Sequence, residues 1–225
     1  MRILALETAA DPGSVALWLD GRVIVRDCPP DLSNSAALLP AARAALEGEG
    51  LDFSDLDGIA FGMGPGSFTG LRVSCGVAQG LAVALGKPLL GVGTLEAMAL
   101  AAGGERVIVA LDARMGEVYH GRFVDGLRQG EIGVCPPEEV PVPGSGGWLV
   151  CGSGLSAYPS LRERLAGVAA RWNPGLLPHA GFVARLAAPL LERGECVDPA
   201  EAAPFYARDK VARTVAERLA EGGRA

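Results

Sequence analysis

The sequence predicts an α/β protein of two halves, each a mixed sheet that opens with an antiparallel strand meander and is flanked by helices. Two observations support this: strand and helix patterns alternate along the 225 residues, and the pattern restarts after the glycine pair in "GGER". We therefore predict domains at 1–102 and 103–225, with the last helix of the second domain free to pack back on the first. The division depends on element order alone.

The first domain is predicted to begin with three antiparallel strands. Residues 2–8, "RILALET", are a short apolar run bounded by the turn-like "AADPGS". The next two strands lie in "VALWLDGRVIV", where Asp20 and Gly21 form a dipeptide typical of a two-residue hairpin turn. A fourth strand is predicted at residues 58–62, and a short buried one lies in "PLLGVG".

Two further segments of the first domain have helical spacing. The segment "SNSAALLPAARAALEGEG" predicts a helix capped by Ser33 or Ser35 and ending near Gly48. Pro40 falls inside it and is predicted to kink its first half unless the helix begins later. A second helix follows "PLLGVG", and we expect Thr94 to cap it.

The second domain repeats the strand-and-helix order. The strands "VIVALDA" and "VYHGRFV" flank the tight turn "RMGE". Residues 130–147 contain several prolines and glycines, which predicts a loop with one edge strand. Residues 148–154 predict a strand and a glycine turn that lead into a helix at "LRERLA". Two more helices are predicted, at residues 182–193 and 209–221.

Charge and composition limit the partners that the chain can bind directly. Hydrophobic residues make up 49% of the chain, enough for a sizeable core, and the formal net charge is −6. Proteins that grip nucleic acid usually show a basic stripe that neutralises phosphates, and no cluster of Lys and Arg of that kind is present in the sequence. If RNA is involved, we expect a partner to hold it.

Cysteine usage and hydropathy predict a reduced, cytoplasmic chain without a membrane segment. The five thiols are scattered, none forms a CxxC pair, and "MRILALETAA" does not resemble a signal peptide. The longest uncharged runs, residues 58–71 and 73–86, are interrupted by glycine and shorter than the ~20 apolar residues that span a bilayer. The cysteines are expected to be small core residues: Cys28, Cys75, Cys135, Cys151 and Cys196.

The stretch "FGMGPGSFTG" places a glycine-rich turn directly before a helix. Gly62, Gly64 and Gly66 can adopt positive φ and bring the backbone close to a neighbour. Ser67 or Thr69 then caps a helix whose first N–H groups favour an anion. The spacing matches neither a Walker A loop nor a dinucleotide-binding fingerprint. Phosphate binding and a purely structural turn both remain open, and the structural turn is favoured.

The helix after this turn, predicted from about residue 69 to residue 85, is unusually rich in small residues. Gly76, Gly80 and Ala84 recur every four residues and therefore lie in one row, and the helix ends at Gly86. Each interior glycine costs about 1 kcal/mol relative to alanine, which implies a closely approaching neighbour. That neighbour belongs either to the same chain or to a partner subunit. An adjacent apolar row consists of Val73, Val77 and Leu81.

Few side chains are arranged for catalysis. Glu7 and Asp11, near the end of the first strand, are either metal-orienting carboxylates or solvated loop charges. Asp112, Arg114 and Glu117 surround a tight turn, where salt-bridged turn residues are the simpler interpretation. No HExxH, GxSxG or Cys–His arrangement is present in the sequence. The two histidines are expected to be surface or packing residues: His120 and His179.

Several of these segments together resemble one known family. "ILALETA", "SVALW", "FGMGPGSFTGLRVSCGVAQGLA", "PLLGVGTLEAMA" and "ALDARMGEVY" are similar to the TsaB (YeaZ) family of bacterial subunits in tRNA threonylcarbamoyladenosine biosynthesis. The resemblance is specific over residues 1–123 and looser afterwards, in "VCGSGLSAYPSL" and "AAPFYARDKVA". It implies the actin/sugar-kinase/heat-shock-chaperone fold with two α/β subdomains.

The resemblance also implies a non-catalytic scaffold. Family members dock on the catalytic subunit TsaD, work with the ATPase TsaE, and form homodimers when TsaD is absent. It implies no catalytic residue and no metal site here, contact with tRNA only through the complex, and ATP or ADP only at the level of the complex. The docking surface maps onto residues of two helices: Leu38, Ala42, Leu46, Thr69, Arg72, Val73, Gly76, Val77, Gly80 and Ala84.

Two departures from the family pattern affect the alternative, an autonomous nucleotide-dependent phosphotransferase of the same fold. The family usually has Asp at the position of Glu7, and the longer side chain weakens a metal-orienting role. The first helix lacks the His that often precedes "LLP". The alternative would use Glu7 or Asp11 as the metal-orienting carboxylate and Asp112 as the base. Weak candidates for nucleotide contact are Glu7, Thr8, Gly64, Gly66 and Ser67.

Overall fold

The structure, a computed structural model, describes residues 1–208. The helix predicted at residues 209–221 lies outside the described residues. Two mixed sheets are present in this part of the chain, and each begins with an antiparallel meander. The predicted α/β class with two flanked sheets is therefore confirmed.

The first sheet has five strands in the order β3-β2-β1-β4-β5. β1 pairs antiparallel with β2 and parallel with β4, so the sheet is mixed. The hairpin between β2 and β3 turns at Asp20 and Gly21, whose φ angles of 48° and 97° are those of a primed two-residue turn. The strand bounds are β1 (Arg2–Glu7), β2 (Ser14–Leu19), β3 (Arg22–Asp27), β4 (Gly58–Gly64) and β5 (Leu89–Gly93).

Three helices belong to this half: α1 (Asn34–Glu47), α2 (Phe68–Leu85) and α3 (Thr94–Ala102). α2 ends at Gly86 in the left-handed conformation, as predicted. α1 begins directly after Ser33 and keeps Pro40 in its interior. The prediction that Thr94 caps α3 is wrong. Gly93 is the capping residue, and the Thr94 hydroxyl is turned into the core.

The second sheet has the order β11-β10-β6-β7-β8, and β9 pairs with the opposite end of β7. β9 is the edge strand expected within residues 130–147. β11 was not predicted, because "AARWN" is short, polar at its end and mostly exposed. The bounds are β6 (Arg106–Arg114), β7 (Glu117–Val124), β8 (Leu127–Arg128), β9 (Gly133–Cys135), β10 (Trp148–Cys151) and β11 (Ala169–Asn173).

The later helices are divided between the two sheets. α4 (Gly154–Ala157) and α5 (Pro159–Leu165) pack in the core of the second sheet, whereas α6 (Ala180–Glu192) returns to the first. α6 buries alanines and Val183 against the first sheet, on the face opposite α1 and α2. The domain division after residue 102 stays a prediction, and α6 shows that sequence order does not decide which sheet a helix covers.

Candidate functional site

One long row of α2 faces away from the protein. We call Arg72, Gly76, Gly80 and Ala84, with the neighbouring Val83, the α2 outer face; all five are exposed, Val83 to 70%. A Cβ added at Gly76 or Gly80 would meet no atom within 4 Å among the described residues. Within residues 1–208, therefore, no part of the chain uses the space that these glycines leave.

The opposite face of α2 is a layer of the core. Leu71, Ser74, Cys75 and Ala78 are buried against the sheet, and the Ser74 hydroxyl lies 3.4 Å from the carbonyl oxygen of Gly62 on β4. By length and composition alone, α2 is long and apolar enough to cross a membrane. α2 packs on the first sheet beside α1, which gives the apolar residues of this face a packing role in the fold itself.

The predicted docking residues of α1 require a correction. Leu38, Ala42 and Leu46 are no more than 1% exposed and lie in the core under the first sheet, so their side chains cannot reach a partner. Their helical spacing marks the inward face of α1. Beside α2, Leu32 is 50% exposed and lines an open groove of about 680 Å³, together with Thr69 and Val73 from the predicted docking set.

The glycine-rich turn packs against the chain itself. A Cβ at Gly64, where φ is 110°, would lie 2.8 Å from the carbonyl oxygen of Phe205, and a Cβ at Gly70 would lie 1.8 Å from that of Thr8. Of the three glycines that could adopt positive φ, Gly62 and Gly66 do not. The glycines thus allow close contact with neighbouring backbone and side chains, which is the role of a structural turn.

Glu7 is buried beneath this turn. Its carboxylate accepts hydrogen bonds from the Ala9 amide at 2.8 Å and from the Thr94 hydroxyl at 3.1 Å, and the same hydroxyl accepts one from the Gly64 amide. Burial raises the pKa of Glu7 to about 7, although these hydrogen bonds oppose the shift. Glu7 therefore ties the ends of β1 and β4 to the start of α3.

A cleft of about 530 Å³ lies between the start of α2 and the β6–β7 hairpin of the second sheet. Of the five weak nucleotide candidates, only Gly66 and Ser67 line it. Thr8 is fully buried, and its hydroxyl donates to the Gly70 carbonyl. Polar side chains from both halves face the cleft: Asp11, Ser67, Thr69, Asp112, Arg114 and Arg208.

The acidic residues at the β6–β7 turn are engaged in local contacts. Asp112 accepts hydrogen bonds from the Arg114 amide and the Tyr158 hydroxyl, both at 2.8 Å, and its second oxygen pairs with the Arg114 guanidinium. Glu117 pairs with Arg208. Within residues 1–208, no group of three His, Cys, Asp or Glu side chains is placed to hold a metal ion.

The histidines have structural partners. His179 caps α6 by accepting from the Gly181 amide, and it contacts Asp27 at 3.2 Å. His120 lies on β7 and is partly buried; this burial lowers its pKa, as does the nearby Arg122. Sequence reasoning did not place Phe205, Tyr206 and Arg208 in the cleft. Their segment, "AAPFYARDKVA", was recognised only by its looser resemblance to the family, and its aromatic pair has neither helical nor strand spacing.

Comparisons with known proteins decide the family. Residues 32–133 match the family described as TsaD: tRNA N6-adenosine threonylcarbamoyltransferase. A protein of Escherichia coli K12 named tRNA threonylcarbamoyladenosine biosynthesis protein TsaB is 39% identical over 226 residues, which cover 94% of this chain and 96% of that protein. Its namesake in Haemophilus influenzae is 32% identical, with 94% and 95% covered. The chain belongs to the TsaB family.

Solved structures agree with membership in the TsaB family. YeaZ from Pseudomonas aeruginosa superposes with a TM-score of 0.82 at 39% sequence identity, covering 91% of this chain and 99% of that one. A second structure, described as an uncharacterized protein with similarity to peptidase YEAZ from the same organism, gives 0.84 at 40% identity, with 92% and 99% covered. These TsaB-family relatives span almost the whole chain.

Proposed function

We propose that this TsaB-family chain is a non-catalytic scaffold subunit that docks through the α2 outer face on a TsaD-like catalytic subunit. In that complex, which forms threonylcarbamoyladenosine beside the tRNA anticodon, it activates the TsaD-like subunit. We propose a cytoplasmic complex with a TsaE-like ATPase, contact with tRNA only through the assembly, and homodimers when the chain is alone. ATP or ADP would bind only at the level of the complex.

The open space over Gly76 and Gly80 is the observation that supports docking. Two interior glycines cost about 2 kcal/mol of helix stability relative to alanine. Among residues 1–208, no close packing of the chain compensates for this cost at either position. A helix of another subunit can approach this row more closely than a face of large side chains permits, and the contact then recovers the lost free energy.

The surroundings of the row suit a protein interface. Val83 and Ala84 are exposed at one end, Val73 and Val77 border the row, and Arg72 supplies a cation at the other end. An apolar centre with an arginine at its edge is typical of protein–protein contacts. The match of residues 32–133 to the TsaD family includes both α1 and α2. A TsaD-like partner would thus be a related fold able to offer an equivalent helix.

The cleft contributes little to the alternative of an autonomous phosphotransferase. Glu7, one proposed metal-orienting carboxylate, is buried and does not line the cleft. Asp112, the proposed base, already accepts two hydrogen bonds and pairs with Arg114. Of these carboxylates, only Asp11 faces the cleft and forms no ion pair among the described residues. Its carboxylate accepts a hydrogen bond from the side-chain amide of Asn34.

Light scattering after size exclusion tests the proposal, on the chain alone and mixed with TsaD from the same source. We expect a heterocomplex that Gly80→Leu weakens at least about 30-fold, because 2 kcal/mol or more is typical for disrupting the centre of an interface. Gly167→Leu is the matched control, since a Cβ at Gly167 also meets no atom within 4 Å and the site lies beyond α5 in the other half.

The outcomes separate folding from docking. The scaffold proposal is supported if the Gly80→Leu chain is folded but no longer binds TsaD, while the Gly167→Leu chain still binds it. If the parent chain forms no complex under any nucleotide condition, the scaffold proposal fails, and ATP hydrolysis by the isolated chain is the next measurement. If Gly80→Leu unfolds while Gly167→Leu does not, the outer face packs within its own chain.

A further inference from the structure

Residues 197–208, which we call the strap, run from the end of α6 along the first sheet and α2. The Val197 amide donates to the Leu89 carbonyl on β5 at 2.8 Å. Further along, the side-chain amide of Gln79 on α2 donates to the carbonyls of Pro199 and Ala202, at 2.7 Å and 3.0 Å. The first part of the strap is thus anchored to one half of the molecule.

The strap then reaches the mouth of the cleft. The Phe205 amide donates to the Met63 carbonyl on β4 at 2.7 Å. The ring of Tyr206 lies 5.7 Å from that of Phe68, and the Arg72 guanidinium covers the Phe68 ring at 3.3 Å. Aromatic and cation–π contacts of this kind are attractive. Phe205 and Tyr206 form part of the cleft wall.

Arg208 crosses to the other half. Its guanidinium donates to the Ala113 carbonyl at 3.3 Å, lies 3.5 Å from the Met115 sulfur, and pairs with the Glu117 carboxylate. The side chains of Arg208 and Glu117 are only 16% and 32% exposed, so water screens this pair less than the exposed pairs elsewhere on the surface. In the described part of the chain, the polar contacts between strap and second sheet all involve Arg208.

We propose that the strap is a closure of the cleft, with the contact between Arg208 and the β6–β7 hairpin as its latch. The first sheet and α2 hold the strap at several points, whereas the second sheet holds it through one side chain. Release therefore begins at Arg208 and proceeds back along the strap as far as Ala202, whose carbonyl lies over Cys75. When the latch opens, Tyr206 and Phe205 can leave the cleft wall, which widens the cleft.

The chain contains its own reporter for this movement. Cys75 is 3% exposed, and its sulfur lies 3.7 Å from the Ala202 carbonyl, so the strap covers it. Cys151 is fully buried in the second sheet, away from the strap, and its modification requires unfolding of that half. Cys196 is exposed and measures the reactivity of an open thiol.

The experiment is alkylation by N-ethylmaleimide, followed for each cysteine by mass spectrometry. In the double variant Tyr206→Ala/Arg208→Ala we expect Cys75 to react at least about tenfold faster, with Cys151 unchanged, since 1.4 kcal/mol of lost closure corresponds to a factor of ten. Arg193→Ala is the matched control, because Arg193 also pairs with a carboxylate, that of Glu195, but on the exposed surface. We expect it to leave both rates unchanged.

A second variant tests the latch without touching the strap. Glu117→Gln removes the carboxylate that pairs with Arg208, and we expect faster hydrogen exchange of the amides of residues 112–117. The proposal is overturned if the double variant leaves Cys75 at the parent rate, or if Glu117→Gln leaves exchange at the hairpin unchanged. It is also overturned if Cys151 accelerates together with Cys75, because the segment would then be part of the cooperative fold.

Discussion

The first turn and the middle of α2 use glycine in opposite ways. In the glycine-rich turn before α2 and in the first turn of the helix, the space over each glycine is already filled. At Gly70, for example, an added Cβ would lie 1.8 Å from the carbonyl oxygen of Thr8, the residue that follows β1. About two to three turns further on, at Gly76 and Gly80, the same added atom would meet nothing within 4 Å among residues 1–208. The first region packs tightly on its own chain, and the second is open.

This difference teaches that a glycine-rich sequence does not by itself locate a binding surface. Gly64 and Gly70 let two backbones of one chain approach each other, so their contribution is to folding. Gly76 and Gly80 lower the stability of the isolated helix, and the described chain gives no close contact in return. Substitutions in the two regions should therefore have opposite effects on the free energy of unfolding.

The largest effect is expected for Gly70→Ala. The new methyl group would overlap the Thr8 carbonyl, and the segment after β1 would have to move. We expect a loss of about 3 kcal/mol or more in the free energy of unfolding, measured by urea denaturation of the isolated chain. Gly76→Ala is the matched control, since it makes the same chemical change in the same helix. Equal stability for Gly70→Ala and the parent would refute the close packing of this turn.

Much of the fold could be predicted because local signals agree with tertiary structure. Asp20 and Gly21 both have positive φ in the hairpin, and Gly86 ends α2 in the left-handed conformation. These positions depend on backbone conformations that few residues adopt, so the sequence identifies them directly. β11 escaped prediction because most of its residues are exposed at the sheet edge and give no apolar run.

The candidate site was harder to predict, because periodicity shows that a helix has two faces but not what covers each of them. Leu38 and Leu46 have the spacing of a docking stripe, and they face the core. Gly76 and Gly80 have equally regular spacing, and they face outwards. Thr94 looks like a helix cap from its position, yet its hydroxyl bonds to the buried Glu7, a partner 87 residues away. Long-range contacts of this kind cannot be read from local sequence.

The next largest effect concerns Glu7, which lies in the tightly packed region. Its pKa is 4.5 in the unfolded chain and about 7 in the folded one, so the folded state binds more protons between these values. The contribution of Glu7 to the free energy of unfolding is fully present below about pH 4.5 and is lost as the pH rises through about 7. The loss is on the order of 3 kcal/mol at 1.36 kcal/mol per pKa unit. Glu7→Gln should remove that dependence.

The measurement is the difference in free energy of unfolding between Glu7→Gln and the parent at a series of pH values from 4 to 8. Other carboxylates contribute to both chains and cancel in the difference. We expect Glu7→Gln to become more stable relative to the parent as the pH rises, because Gln stays neutral and its amide can donate to the Thr94 hydroxyl. A difference that does not vary with pH would show that Glu7 has the same pKa in both states.

The smallest effect has the opposite sign, and it applies to the open region. Gly76→Ala and Gly80→Ala should each raise the free energy of unfolding of the isolated chain by about 1 kcal/mol, since alanine restricts the unfolded backbone and meets no neighbour within 4 Å in the described chain. If the proposed docking is right, the same variants bind a TsaD-like partner more weakly, because each methyl group then enters the space that the partner helix would occupy. Thermal melts and titrations of one set of proteins measure both quantities. If either variant instead destabilises the isolated chain, the α2 outer face packs against another part of the same chain. The middle of α2 would then have the same internal packing role as its first turn.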